Sequence, residues 1–137
     1  MKYMMLVKLN RNSKDGMNYE GGMPPDSKLG GAMEKLVEKL TKSGAMVETG
    51  GLLPMANGAQ IRARGGQLIV TDGPFIESKE VTGGYAILRA KSKKEAIKMG
   101  EDFMKLHLDI LGPSYEGELE IRQMFDPADL EGEAKKG

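Results

Sequence analysis

The run Thr71-Asp72-Gly73-Pro74-Phe75-Ile76-Glu77-Ser78-Lys79-Glu80, closed by Gly83-Gly84-Tyr85, holds the densest group of chemically capable side chains in the sequence. Asp72 and Glu80 supply carboxylates, which serve as general bases where burial raises their pKa. Lys79 adds a cation, Phe75 an apolar anchor and Tyr85 a phenol. The same stretch has a plainer use. An aspartate bonds its own backbone two residues on, glycine takes awkward dihedrals and proline sets the exit, so Asp72-Gly73-Pro74 also reads as a rigid turn between two strands.

Elsewhere the chemistry is sparse. His107 is the single histidine, the side chain that titrates near neutrality without help. It falls on the apolar stripe of a predicted helix, where a core histidine with a satisfied hydrogen bond competes with a catalytic one. Asp72 and His107 are the catalytic candidates. Arg62, Arg64, Arg89 and Arg122 all lie on predicted strands; facing a cavity, each could grip a carboxylate or phosphate in bidentate fashion. Alternation puts Arg89 on the face of Tyr85 and Ile87. Glu48 precedes a glycine pair that can redirect the chain. The ligand-binding candidates are therefore Glu48, Arg62, Asp72, Phe75, Lys79, Glu80, Tyr85 and Arg89. One histidine and no cysteine argue against a transition-metal site and exclude thiolate chemistry, leaving only a hard cation held by carboxylates. Gly65-Gly66 and Gly83-Gly84 lack the strand, helix and lysine of a phosphate-binding loop. No metal or cofactor is expected.

The elements that must position these residues follow from periodicity. Tyr3 to Leu9 is a strand apolar on both alternating faces. Arg11 to Asp26 has no usable period and is longer than the usual connection of about 4–6 residues, as suits either a mobile loop or a functional flap. Asp26 or Ser27 caps a helix with Leu29, Met33, Leu36, Val37 and Leu40 on its inner stripe, stopped by Gly44. Ala45 to Pro54 reads as a strand interrupted at Gly50-Gly51, with a bulge or a close backbone approach there. Ile61–Arg64 and Gln67–Val70 form a hairpin through Gly65-Gly66. Tyr85 to Ala90 is another strand apolar on both faces. Ser92-Lys93-Lys94-Glu95 is a capping box that opens a second helix. Its inner stripe is Ala96, Gly100, Phe103, Met104, His107 and Leu111, and Gly112-Pro113 ends it. Glu118 to Phe125 alternates as a last strand, and a charged tail follows from Asp126.

This order, β-α-β, hairpin, β-α-β, predicts an α+β ferredoxin-like split βαβ fold: an antiparallel sheet with two helices on one face and an inserted hairpin. A chain of 137 residues suits one domain, spanning 1–125 before the tail. Both helices on one face leave apolar residues of the central strands uncovered on the other, which predicts a homodimer with two sheets face to face. Twenty basic and twenty acidic residues cancel, so neither nucleic acid nor an anionic membrane is an expected partner. Nothing approaches the roughly 20 apolar residues of a membrane span. The absence of cysteine and of a signal segment suits the cytoplasm. Eleven methionines against four tyrosines and three phenylalanines suggest a core or interface filled by flexible thioethers.

Thr71-Asp72-Gly73-Pro74-Phe75, Ser78-Lys79-Glu80 and Gly83-Gly84-Tyr85 together resemble the YCII-related family, specifically its DGPF branch. Met1-Lys2-Tyr3-Met4, Glu48-Thr49-Gly50-Gly51-Leu52 and Gly117-Glu118-Leu119-Glu120-Ile121-Arg122 are similar to the same branch. The resemblance implies a ferredoxin-like fold, a dimeric α/β barrel and a cleft between sheet and loops. It implies little about activity. Enzymatic function in the family is suspected from a histidine–aspartate pair of the namesake branch, and counting back from Gly44 puts that histidine near Met33. Methionine carries no proton, so the pair does not transfer, although Asp72 matches the motif's acid. Some members of the branch occur beside or joined to extracytoplasmic-function sigma factors, which implies a possible regulatory partner. The expected function is a dimer that binds a small polar or anionic molecule in a cleft near residues 71–85, in an accessory or regulatory role. The alternative is a small cofactor-independent enzyme using acid–base chemistry from Asp72, Glu80, His107 or Tyr85.

Overall fold

A computed structural model describes residues 1–10, 27–53, 55–73 and 80–127. The elements are β1 (Lys2–Asn10), α1 (Ser27–Lys42), β2 (Met46–Gly51), β3 (Ala59–Arg64), β4 (Gln67–Asp72), β5 (Glu80–Arg89), α2 (Lys93–Leu111) and β6 (Gly117–Gln123), with a short 3-10 turn at Met55–Asn57. The four long strands form one antiparallel sheet in the order β2-β5-β1-β6, while β3 and β4 pair apart from it. This is the ferredoxin-like arrangement, with the hairpin inserted between β2 and β5. The Arg11–Asp26 connection, Phe75, Lys79 and most of the tail lie outside the described residues.

Register explains how the apolar pattern is used. Tyr3, Met5 and Val7 of β1 oppose Leu88, Ala86 and Gly84 of β5, and oppose Gln123, Ile121 and Leu119 of β6. Residues directly opposite share a face, and this is the face that carries both helices. Tyr3, Ala90 and Ala96 form its buried cluster, with Met99 and Ile121 packed against them. The other face presents Met4 and Leu6 beside Tyr85, Ile87, Glu120 and Arg122; Met4, Leu6, Tyr85 and Ile87 are only half-buried.

The helix signals act where local chemistry places them. The Glu95 N–H donates to Ser92 Oγ at 3.2 Å. Glu95 Oε2 accepts from the Lys91 N–H at 3.2 Å, so the return bond of the capping box lands one residue before the serine. α1 stops at Gly44, whose φ of 80° accompanies an Ala45 N–H to Leu40 carbonyl bond of 2.9 Å, the long closing bond of a Schellman turn. Gly65 and Gly66 have φ of 58° and 77°, the pair of positive values that a two-residue type I′ hairpin needs.

Of the two readings of Gly50-Gly51 the close approach holds, and the bulge in β2 lies elsewhere. Its register shifts between Met46 and Glu48, upstream of the glycines, and Val47 is the extra residue. Gly50-Gly51 instead continues the strand, because the Tyr85 ring lies over Gly50: a Cβ at Gly50 would come within 3.0 Å of Tyr85 Cε1. The β1–β5 ladder shifts between Val7 and Lys8, opposite Gly83, where a glycine accommodates the extra residue. Among the described residues no helix is long and apolar enough to cross a membrane.

Candidate functional site

Between α1 and the sheet lies a cavity of about 660 Å³. Its existence follows from how the two helices seat. α2 lies close on β6, where Gly100 leaves no room for a side chain: a Cβ there would stand 2.8 Å from Ile121 Cδ1 and 3.0 Å from Leu119 Cδ2. α1 buries Leu29 fully, at 4% exposure, but the rest of its inner stripe, Met33, Leu36, Val37 and Leu40, is half-buried and roofs the cavity. Met5, Met46, Ala86, Leu88, Met99, Phe103 and Leu119 provide apolar wall. At one end the wall is nearly bare backbone, from Gly50, Gly51, Gly83 and Gly84.

Polar groups are few. Glu34 and Glu38 border the cavity from the exposed side of α1, Thr49 and Tyr85 border it at the glycine end, and His107 lines it from α2. Thr49 Oγ1 donates to the Tyr85 carbonyl at 2.9 Å, tying β2 to β5 there. His107 is 2% exposed. Its Nδ1 is 3.0 Å from the Phe103 carbonyl, which can only accept, so Nδ1 carries a proton. The imidazole is held between Phe103, with ring centres 4.6 Å apart, and Tyr115, 5.2 Å away. Tyr115 in turn needs Gly117, since a Cβ at that position would collide with the tyrosine hydroxyl. Among the described residues no group of three or more histidine and acidic side chains could hold a metal ion.

The YCII-related domain matches residues 1–103, from β1 into α2. The chain belongs to the YCII-related family. An uncharacterized protein of Rhizobium meliloti (strain 1021) is 31% identical over 94 residues, covering 67% of this chain and 71% of that one. This YCII-related chain is therefore similar to a protein that carries no assigned activity, and the chemistry of the cavity has to be read from its own residues.

The predicted site residues part company. Tyr85 and His107 border the cavity. Asp72 is exposed as the last residue of β4, opposite Ala59 at the base of the hairpin, where the Gly73 N–H donates to the Gly58 carbonyl at 2.9 Å. Arg62 is exposed on β3. Glu48 opposes Ile87 and Arg89 opposes Lys2, on the sheet face away from the helices. Arg122 joins Glu120 there in an ion pair. Glu80 begins β5, and its side chain lies outside the description, as do Phe75 and Lys79. Met33, near which the resemblance puts the namesake histidine, roofs the cavity. Sequence reasoning missed Met5, Met46, Met99, Phe103 and Leu119 as site residues. Their signal was the high methionine content, which pointed to flexible packing without saying that the packing encloses a space.

Proposed function

We propose that this YCII-related protein is a binding module for a small, largely apolar molecule carrying a limited polar group, seated in the cavity beneath α1. The observation that carries this reading is the lining: a volume of about 660 Å³ is of ligand-site size, and such sites are mostly apolar with few polar groups. Four methionines line it, and unbranched thioethers adapt to more than one ligand shape. The lining moves the expected ligand from polar or anionic to apolar, because none of Arg62, Arg64, Arg89 and Arg122 borders the space. Binding is favoured over acid–base catalysis because Asp72 stands exposed at the hairpin base and does not border the cavity that His107 lines.

The proposal includes a two-fold dimer through the outer sheet face, supported by the half-burial of Met4, Leu6, Tyr85 and Ile87 there. It also includes membership of the DGPF branch, supported by the Asp72-Gly73-Pro74-Phe75 run, and a cytoplasmic location, supported by the absence of cysteine. A sigma-factor partner rests on the resemblance alone.

A thermal-shift screen of small apolar compounds tests the site. A compound present at 100 times its dissociation constant adds about 2.7 kcal/mol of stability. Ala86→Phe places a phenyl ring in the cavity from a central strand, and it should abolish the shift produced by any hit while leaving the unliganded protein folded. A hit whose shift survives Ala86→Phe binds elsewhere, and the cavity reading is then wrong.

A further inference from the structure

The cavity floor carries a bare patch that the fold does not require. Gly51 pairs with Gly84, and Thr49 with Ala86, across β2 and β5, so four small residues stand together on the helix-bearing face. Strand spacing and rise give this patch a footprint of about 5 Å by about 7 Å. The Thr49 hydroxyl is spent on the sheet itself, donating to the Tyr85 carbonyl at 2.9 Å. Gly51 has neither a positive φ nor any atom within 4 Å of a side chain built there, and glycine is a poor strand residue. Gly30 on α1 borders the same space and is the same case, although glycine disfavours a helix. A glycine that neither backbone geometry nor packing calls for marks a place where something else comes close to the chain.

We infer that the ligand of this cavity is a flat aromatic molecule without an anionic group, laid face-down on the platform made by Gly51, Gly84, Thr49 and Ala86. The inference rests on the binding reading and narrows it to a chemical class. A floor stripped of side chains leaves a slot one side-chain layer thick between sheet and helix, with the footprint of an aromatic ring; a puckered aliphatic frame does not lie flat in it. The walls suit a ring as well. Met5, Met33, Met46 and Met99 line the space together with Phe103, and thioethers and aromatic edges both make favourable contacts with an aromatic ring. Charge narrows the class further. Among the described residues no lysine or arginine borders the cavity, whereas the carboxylates of Glu34 and Glu38 do, so an anion would leave water without a partner and meet two like charges. The slot is open along the sheet edge: β2 is the outermost strand, with Thr49 and Gly51 exposed, Ala86 half-buried and Gly84 buried. A ring therefore enters over β2 and comes to rest against β5.

Isothermal titration calorimetry of the full chain with naphthol, its saturated counterpart decalol, and naphthoate tests the platform. Naphthol and decalol share a hydroxyl and a fused carbon frame, so a pocket that reads apolar area alone takes them equally. Naphthol should bind at least tenfold tighter than decalol, and at least tenfold tighter than naphthoate. Gly51→Val sets a branched side chain on the platform where it meets open space; it should leave the circular dichroism unchanged and remove the advantage of naphthol over decalol. Glu34→Gln/Glu38→Gln should strengthen naphthoate binding and leave naphthol binding as it is. Equal binding of naphthol and decalol, both lost in Ala86→Phe, would overturn the platform and keep the cavity reading, as would a naphthol preference that Gly51→Val leaves intact. Naphthoate binding as tightly as naphthol would overturn the exclusion of anions. If neither neutral compound binds, the platform is wrong, and the cavity reading is decided by its own screen. Binding that survives Ala86→Phe would overturn the platform and the cavity reading together.

Discussion

Glu120 sits at the centre of a small charged network on the outer sheet face. It accepts from Lys8 Nζ at 2.9 Å, with the two side chains 24% and 28% exposed, and it also pairs with Arg122. The hydrogen bond from Lys8, supported by the charges of Arg122 and Lys8 and opposed by partial desolvation, holds the Glu120 carboxyl below the ordinary glutamate range. A folded pKa below the unfolded one contributes stability that is complete above the unfolded pKa and disappears as pH falls through the folded one. Lys8→Met should therefore raise the Glu120 pKa toward its ordinary value, read by carboxyl NMR titration, and should weaken the acid-side fall in stability measured by urea midpoints. A second residue-scale expectation concerns Gly117. A methyl there would lie 2.6 Å from Tyr115 Cζ, and the tyrosine is 6% exposed, so its ring has little freedom to yield. Gly117→Ala should cost roughly 1–3 kcal/mol by overpacking, in equilibrium unfolding. Because Tyr115 holds His107, the histidine's NMR shifts should move with it.

The two helices illustrate how differently similar elements can be anchored. α2 buries Ala96, Gly100 and His107 and meets β6 at closest approach through Gly100. α1 is strongly amphipathic, yet among its described side chains it buries only Leu29 fully, and each half-buried apolar side chain on its stripe falls short of the roughly 1.5–3 kcal/mol that full burial provides. Elements with less buried apolar contact open at lower free energy. Hydrogen exchange should accordingly show α1 amides losing protection before those of α2, and a ligand in the cavity should slow exchange in α1 more than in α2. What was legible at this scale was what is locally encoded. Ser92 and Glu95 marked one helix start, Gly44 one helix end, and Gly65-Gly66 the hairpin, because each acts within a few residues of itself. The bulge at Val47 was not legible, since it depends on which residues of β5 lie opposite.

At the scale of the molecule, the order of elements was enough to read the ferredoxin-like sheet and the side on which the helices lie, because right-handed crossovers and short connections leave few alternatives. The candidate site was legible only in part. His107 and Tyr85 reached it from the residue list, whereas Asp72 and the arginines did not, and the methionine lining had been counted as packing. A cavity comes from the distance between two packed layers, and no residue type encodes that distance. A motif such as Thr71 to Phe75 is conspicuous because its residues are contiguous. The cavity's wall is assembled from β1, α1, β2, β5, α2 and β6, so no stretch of the chain announces it.

The glycine end of that wall has an evolutionary consequence. Register puts Gly51 opposite Gly84, on the helix-bearing face, and a Cβ built at Gly51 meets nothing within 4 Å, whereas one at Gly84 would stand 3.1 Å from the Gly50 carbonyl oxygen. A side chain at Gly84 needs the Gly50 backbone to give by a few tenths of an ångström, whereas one at Gly51 meets open space. A methyl at Gly51 narrows the glycine end of the cavity without meeting another atom, so under the proposed binding function a single substitution at the end of β2 is a route to altered selectivity.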